Sequence, residues 1–321
     1  MNITKTWEYL VRPEHSIPLS ELEVIIAKGQ PMTIDLERSD IAKEIWRYWD
    51  TKQVEMTVVR SVELAQALQE GDQDQVRRMQ KQIGGIDPKY RFSQAVLQDK
   101  TLYLALSSTD YATFTGTNVR AISDPAFRER LMNAGLQDFA DPNYYFANPL
   151  GLCSVLYGLN QPGDARNIYT TVGLRSEKVM IYPNTHHIFG GFIDVTEEGK
   201  KVDLGYFLRQ ELQDEIGLSA TEMGEPAFNG IIRQIPSRHP EVICEIPVYL
   251  SQDRLQQRWR ERAPGKFEHR HLSFYSIPQL AEFLETRLSS IVPAGAAALY
   301  EFLRHHAQLE IKFRAEQDLY N

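Results

Sequence analysis

A chain of 321 residues, 42% hydrophobic and 24% charged, carries core material for one domain with a large extension or for two domains, which excludes extensive disorder. Its formal net charge of -8 argues against nucleic acid or an anionic membrane held by bulk electrostatics, so an acidic substrate has to be captured locally. Cys153 and Cys244 stand far apart, with no C-x-x-C and no paired histidines around either; this argues against a disulfide framework or a structural zinc and for two buried thiols in a reducing compartment.

The first residues carry Lys5, Glu8, Arg12 and Glu14 with no apolar signal segment, and no apolar run approaches the roughly 18 residues of a membrane span, so the cytoplasm is the expected location. Lys5 to Val11 reads as a strand. Asp40 to Trp49 reads as a helix capped by Ser39 or Asp40, with Ile41, Ile45 and Trp49 on one face. A strand is expected near Glu55 to Arg60, and a polar helical stretch from Val62 to Gln82, closed by Gly84-Gly85, as a peripheral helix or insertion. From Lys89 the period becomes two: Tyr90, Phe92, Gln94 and Val96, then Leu102, Tyr103, Leu104 and Leu106, joined through Gln98-Asp99-Lys100 as a hairpin. Asp141-Pro142-Asn143 is the expected boundary between an N-terminal α/β domain, residues 1–142, and a second domain, residues 143–321.

In that second domain, Ile168 to Leu174, the turn Arg175-Ser176-Glu177-Lys178 and Val179 to Tyr182 suggest another hairpin. Strands are expected at Pro226 to Gln234, Val242 to Leu250 and Leu272 to Ile277, the last preceded by a charged segment. Helices follow at Pro278 to Leu288 and from Pro293 to about His306, so that mixed strands with helices on either side make an α/β/α sandwich.

The residues that carry chemistry cluster in Gln210-Glu211-Leu212-Gln213-Asp214-Glu215-Ile216-Gly217-Leu218. At about 100° per residue, Glu211, Asp214 and Glu215 share an arc of about 100° on a helix, with Leu208, Leu212 and Ile216 as its apolar stripe and Gly217 as its stop. Like charges one turn apart destabilise a helix by about 0.2–0.5 kcal/mol per pair, and a C-terminal turn favours cations, so something should compensate. A solvated acidic face is one reading. A Mg²⁺ site that borrows phosphate oxygens from a substrate is the other.

This stretch resembles the Nudix box, G-x5-E-x7-R-E-U-x-E-E-x-G-U with U apolar. Gly191 and Glu197 match its first half; Glu211, Leu212, Glu215, Gly217 and Leu218 match its second, with Asp214 in place of a glutamate. It departs in two ways: twelve residues separate Glu197 from Gln210 where the family has seven, and Gln210 stands where the family has arginine, with Arg209 adjacent but turned about 100° away. Phe114-Thr115-Gly116-Thr117-Asn118 and Tyr145-Phe146-Ala147-Asn148-Pro149-Leu150-Gly151 are further similar to strings in the Nudix-type UDP-glucose diphosphatases of animals. With Ile45-Trp46 and the Ala-rich Pro293 to Tyr300, the resemblance spans residues 40 to 303.

The resemblance implies the Nudix α/β/α sandwich and Mg²⁺- or Mn²⁺-dependent hydrolysis of a diphosphate, UDP-glucose or UDP-galactose first, giving UMP and a sugar 1-phosphate. ADP-ribose, NADH and coenzyme A are the rival substrates, and a non-catalytic nucleotide-sugar-binding module is the rival from another class. By position it implies Glu211 and Glu215 as metal ligands, Asp214 as the next, and Gly191 as a carbonyl donor. The general base is Glu211 or Glu268, the latter lying in the charged run Lys266-Phe267-Glu268-His269-Arg270-His271 that otherwise reads as solvated. Arg175 is either a diphosphate clamp or a turn arginine, and Thr117 and Asn118 either bind sugar or uracil or cap a turn. Of His186 and His187, adjacent on a strand, at most one reaches the site. The family's frequent dimers leave a homodimer open.

Overall fold

A computed structural model of the chain describes residues 6–32, 43–45, 69, 88–159, 168–196 and 201–306. Glu197, the expected strand at 55–60, nearly all of the helical stretch at 62–82 and of the helix at 40–49, and Gly84-Gly85 lie outside them.

The order of elements is β1 (Trp7–Val11), β2 (Ile17–Pro18), β3 (Glu23–Lys28), β4 (Pro88–Gln98) and β5 (Thr101–Asp110). Then come α1 (Tyr111–Phe114), a π-turn at Thr115–Val119, α2 (Arg120–Ser123) and α3 (Pro125–Phe139). They lead into β6 (Gly151–Leu159), β7 (Ile168–Arg175), β8 (His186–His187), β9 (Phe189–Phe192) and the acidic helix α4 (Leu204–Ile216). The chain continues through β10 (Ala227–Gln234), β11 (Pro240–Val248), α5 (Gln252–Arg262), β12 (His269–Ser276), α6 (Ile277–Arg287) and α7 (Pro293–His306).

One mixed sheet runs β1-β10-β11-β6-β7-β12, with β11 parallel to β6 and the remaining pairs antiparallel. β6 changes partner along its length: Gly151 to Ser154 face β9, whereas Leu156 to Leu159 face β7. The sheet forks there, and residues 186–192 cross the gap, β8 pairing with the far half of β7.

Period-two alternation sorts the side chains into two apolar layers. Leu152, Leu156, Val242, Cys244 and Ile231 pack with Leu204, Leu208, Leu212 and Ile216 of α4. Their neighbours Cys153, Val155, Ile243 and Ile232 pack on the opposite face with Leu280, Leu284, Leu299 and Phe302 of α6 and α7. The fold is therefore the expected α/β/α sandwich, and each fully buried Leu contributes about 1.5–3 kcal/mol. β1 and β2 both hydrogen-bond to β10, so residues 7–18 belong to this sheet. β4 and β5 form the expected hairpin, turning at Asp99 with φ 54°, and β3 joins them in a second sheet whose Leu102, Leu104 and Leu106 complete the α4-side layer.

The second expected hairpin differs. Val179 to Tyr182 form no strand; the partner of β7 on that side is β8, with Gly173 opposite His187 and Leu174 opposite His186. The return is delayed because Arg175 Nε donates to Ile181 O at 3.1 Å and Tyr182 and Asn184, flanking Pro183, sit at φ 50° and 60°. The segment after β11, read only as charged, is the helix α5, held by Leu255 and Trp259 one turn apart. No helix among the described residues is long and apolar enough to cross a membrane. Cys153 and Cys244 are buried free thiols.

Candidate active site

The acidic helix is built by local rules. The Asp203 carboxylate accepts the Tyr206 N–H at 2.9 Å and starts it, and Gly217 at φ 79° ends it in a left-handed turn. A side chain at Gly217 would also meet the Arg262 and Ala263 backbone at 2.9 Å, so packing as well as φ demands glycine. With Leu204, Leu208, Leu212 and Ile216 facing the sheet, Glu215 is drawn under with them, Glu211 is partly buried and Asp214 is exposed. Asp214 is pinned by its backbone: its carbonyl accepts the Gly265 N–H at 2.7 Å, tying α4 to the turn that precedes β12.

The Gly190-Gly191 step of β9 brings backbone up to this helix. Gly190, at φ 155°, would place a β-carbon 2.0 Å from Leu152 O, so only glycine fits. At Gly191 a β-carbon would lie 2.7 Å from Glu211 Oε2 and 2.9 Å from Oε1: the carboxylate occupies the space a side chain would fill. Gly191, Glu211 and Glu215 thus converge.

Their electrostatics are those of a site short of positive charge. Burial first, then Glu215, Glu268, Asp214 and Asp194, push the Glu211 carboxyl up to about 8. Burial also pushes Glu215 up to about 8, against the pull of Arg175 and the Gly190 N–H. Arg175 ends β7 directly opposite His269, and Glu268 sits in the short turn just before β12, close enough to act on Glu211. Asp194, across the strand gap, pairs with Lys89.

Two buried histidines complete the surroundings. His269 Nε2 lies 3.5 Å from Glu215 Oε2; burial and the nearby Arg175 push the imidazole down to about 4, so it is neutral at pH 7 and the contact is not an ion pair. His187 is held well below its usual range by burial, Arg175, His269 and His239, and its ring lies over Gly295 at the start of α7. His186 points away, Nδ1 3.3 Å from Ser290 O and its ring edge-on to Phe283.

A hard divalent cation fits this donor set. Glu215 Oε2 is buried without a hydrogen-bond partner among the described residues, Glu211 is held against a glycine cradle, and both carry a proton affinity that a cation would replace. Among the described residues, no group of three or more His, Cys, Asp or Glu side chains is arranged to hold a metal ion by itself.

Thr117 and Asn118 are placed differently. Thr117 Oγ1 donates to Thr113 O at 2.7 Å and accepts the Ala147 N–H at 3.1 Å; Asn118 Oδ1 accepts the Asn148 N–H at 3.2 Å, and its Nδ2 donates to Ser237 O at 2.8 Å. Both side chains are fully buried. The strings 114–118 and 145–151 therefore dock on each other, and their polar groups join three backbone segments. Phe114 carries this clamp to the site's rim, edge-on to Phe192 at 4.8 Å, one residue from Gly191.

His269 and Asp194 were not singled out by the sequence. His269 belongs to the run that contains Glu268, which reads as solvated.

No protein-family model matches the chain, and no curated protein matches it. Solved structures similar to it include a mutT/nudix family protein from Listeria innocua, 12% identical over 49% of this chain and 92% of that one, with a TM-score of 0.35. The Nudix hydrolase RenU from M. smegmatis is 13% identical over 52% and 91%, with a TM-score of 0.34. A Nudix hydrolase from Alicyclobacillus acidocaldarius is 10% identical over 51% and 96%, with a TM-score of 0.36. Likenesses this distant assign the chain neither a family nor an activity.

Proposed function

We propose that this protein is a Nudix-type hydrolase that cuts the diphosphate bond of a nucleoside diphosphate derivative with the help of Mg²⁺ or Mn²⁺. The observation that carries this reading is the pair Glu211 and Glu215, lodged beside the Gly190-Gly191 step, with Glu215 Oε2 buried and unpartnered among the described residues. Glu211 and Glu215 hold the metal, with Asp214 at the exposed rim and the Gly191 backbone beside them. Bound there, the metal would neutralise charge on the transferring phosphoryl group and acidify a water.

The chain's own residues do the rest. Glu268, within electrostatic reach of Glu211, takes the proton from the attacking water. Arg175 sits between Glu215 and the loop at 176–185 and steadies negative charge on the phosphate side. In this reading residues 143–321 form the hydrolase and residues 1–142 lend it β1 and β2.

UDP-glucose or UDP-galactose is the leading substrate, cut to UMP and sugar 1-phosphate, on the strength of the strings at 114–118 and 145–151. The second reading, a nucleotide-sugar binder without turnover, is favoured by Gln210, exposed where the box has arginine, and by Arg209, which turns instead to Gly224 O at 3.4 Å and to Glu225. Product release from UDP-glucose, ADP-ribose, NADH and coenzyme A, with Mg²⁺ and with chelator, separates them. Metal-dependent UMP from UDP-glucose supports the leading substrate; another product keeps the chemistry and replaces the substrate; silence with a UDP-glucose-induced rise in Tm supports the binder.

A further inference from the structure

We propose that His269 is a positioning residue for Glu215: its Nε2–H donates to the buried carboxylate oxygen and fixes how the other oxygen is presented. This rests on the reading of Glu215 as a metal ligand.

The geometry carries it. His269 Nε2 and Glu215 Oε2 lie 3.5 Å apart, both buried, and neither has a hydrogen-bond partner among the described residues. A buried polar atom left unpaired costs about 1–3 kcal/mol, so two such atoms facing each other are driven to bond, and the remaining closure is a few tenths of an ångström.

The imidazole is held for this task from two sides. Its ring lies on Gly173 of the neighbouring strand, where a β-carbon would meet Nδ1 at 2.3 Å and Cε1 at 2.8 Å, so a larger residue at 173 would displace it. Phe189 packs edge-on against it at 5.1 Å. A register shift between His269 and His271 turns the ring inward. Arg175 stands opposite His269 across the β7–β12 pair. Imidazoles and carboxylates paired behind a metal ligand orient it and sharpen its affinity, and removing such a partner typically costs about 10–100-fold.

The test uses the full-length protein and Mn²⁺ binding followed by electron paramagnetic resonance, with turnover as a second readout. A glutamine amide places its nitrogen near Nε2 of the imidazole it replaces, whereas an asparagine amide reaches only the Nδ1 position. His269→Gln should bind Mn²⁺ within about threefold of wild type, and His269→Asn should bind at least about tenfold more weakly. Equal affinities in the two variants would overturn the proposal, because both keep a buried amide and differ only in reach. Glu215→Gln tells the two readings apart: undiminished Mn²⁺ binding in that variant removes Glu215 from the metal site and the proposal with it. Loss in Glu215→Gln with His269→Asn at wild-type affinity would leave the metal site standing and overturn the role of His269 alone.

Discussion

The carboxylate of Glu211 rests against the α-carbon of Gly191, so close that a β-carbon there would stand 2.7 Å from Oε2 and 2.8 Å from Cδ. The atom in the way is the end of a flexible side chain, so Gly191→Ala should fold, with Tm within a few degrees of wild type, while Glu211 swings aside. Misplacing a ligand by about 1 Å costs on the order of 100-fold in rate. Turnover of the cleaved substrate, measured beside a thermal melt, checks this; wild-type turnover would mean Glu211 is not placed by the glycine.

Metal-free protein should lose stability as pH rises. Glu211 and Glu215 titrate near 4.5 when unfolded and near 8 in the fold, so between those values the folded state binds more protons. The stabilisation is complete below about 4.5 and gone above about 8. Urea unfolding in chelator at pH 5.5 and 8.5 should show the decline, and Glu211→Gln should flatten it. Equal stability of wild type at both pH values would contradict the burial of these carboxylates.

Mg²⁺ should reverse that decline. A cation binds the deprotonated pair, so the rise in Tm at millimolar Mg²⁺ should be larger at pH 8.5 than at pH 5.5, and Glu215→Gln should abolish it. A shift that is the same at both pH values would place the ion elsewhere.

Asn118→Ala should be a stability variant. It strips partners from the Asn148 N–H and Ser237 O, both in a fully buried setting, at about 1–3 kcal/mol for each group left unsatisfied. Denaturant midpoint and KM, measured together, decide: a large loss of stability with KM unchanged fits the clamp, whereas a raised KM in a stable variant would return Asn118 to the substrate.

How far these sites could be read in advance depended on the range of the forces that build them. The acidic helix was legible because its cap, stripe and stop are local: Leu208, Leu212 and Ile216 fall four apart, and Gly217 marks the end. His269 was not, because strict alternation back from Leu272 would bury Arg270 and expose His269. A bulge between His269 and His271 adds one residue, so His269 and Leu272 go in and Arg270 and His271 stay out. The partners of Thr117 and Asn118 were equally hidden. Nothing local in 114–118 announces that its side chains will hold the amides of Ala147 and Asn148. The return of β7 was misplaced for the opposite reason: Val179 to Tyr182 look strand-like, but left-handed residues on both sides of Pro183 postpone pairing to His186.

Glu268 and Glu215 should fail in opposite ways. Both act near Glu211, but Glu215 lies under the helix with Oε2 unpaired among the described residues, whereas Glu268 is on the turn before β12. A proton acceptor contributes about 10²–10⁴-fold to rate, so Glu268→Gln should lower kcat by that order and leave Mn²⁺ affinity and KM within about twofold. Glu215→Gln should lose Mn²⁺ binding and turnover together, beyond the roughly 100-fold expected for an outer-shell partner, with Tm in chelator unchanged or raised because a buried charge is gone. Full pH-rate profiles make the contrast sharp: removing a base flattens the rise of kcat toward alkaline pH, and removing a ligand shifts the metal concentration needed at every pH. Parallel loss of metal binding in both variants would make Glu268 a ligand and leave Glu211 as the base.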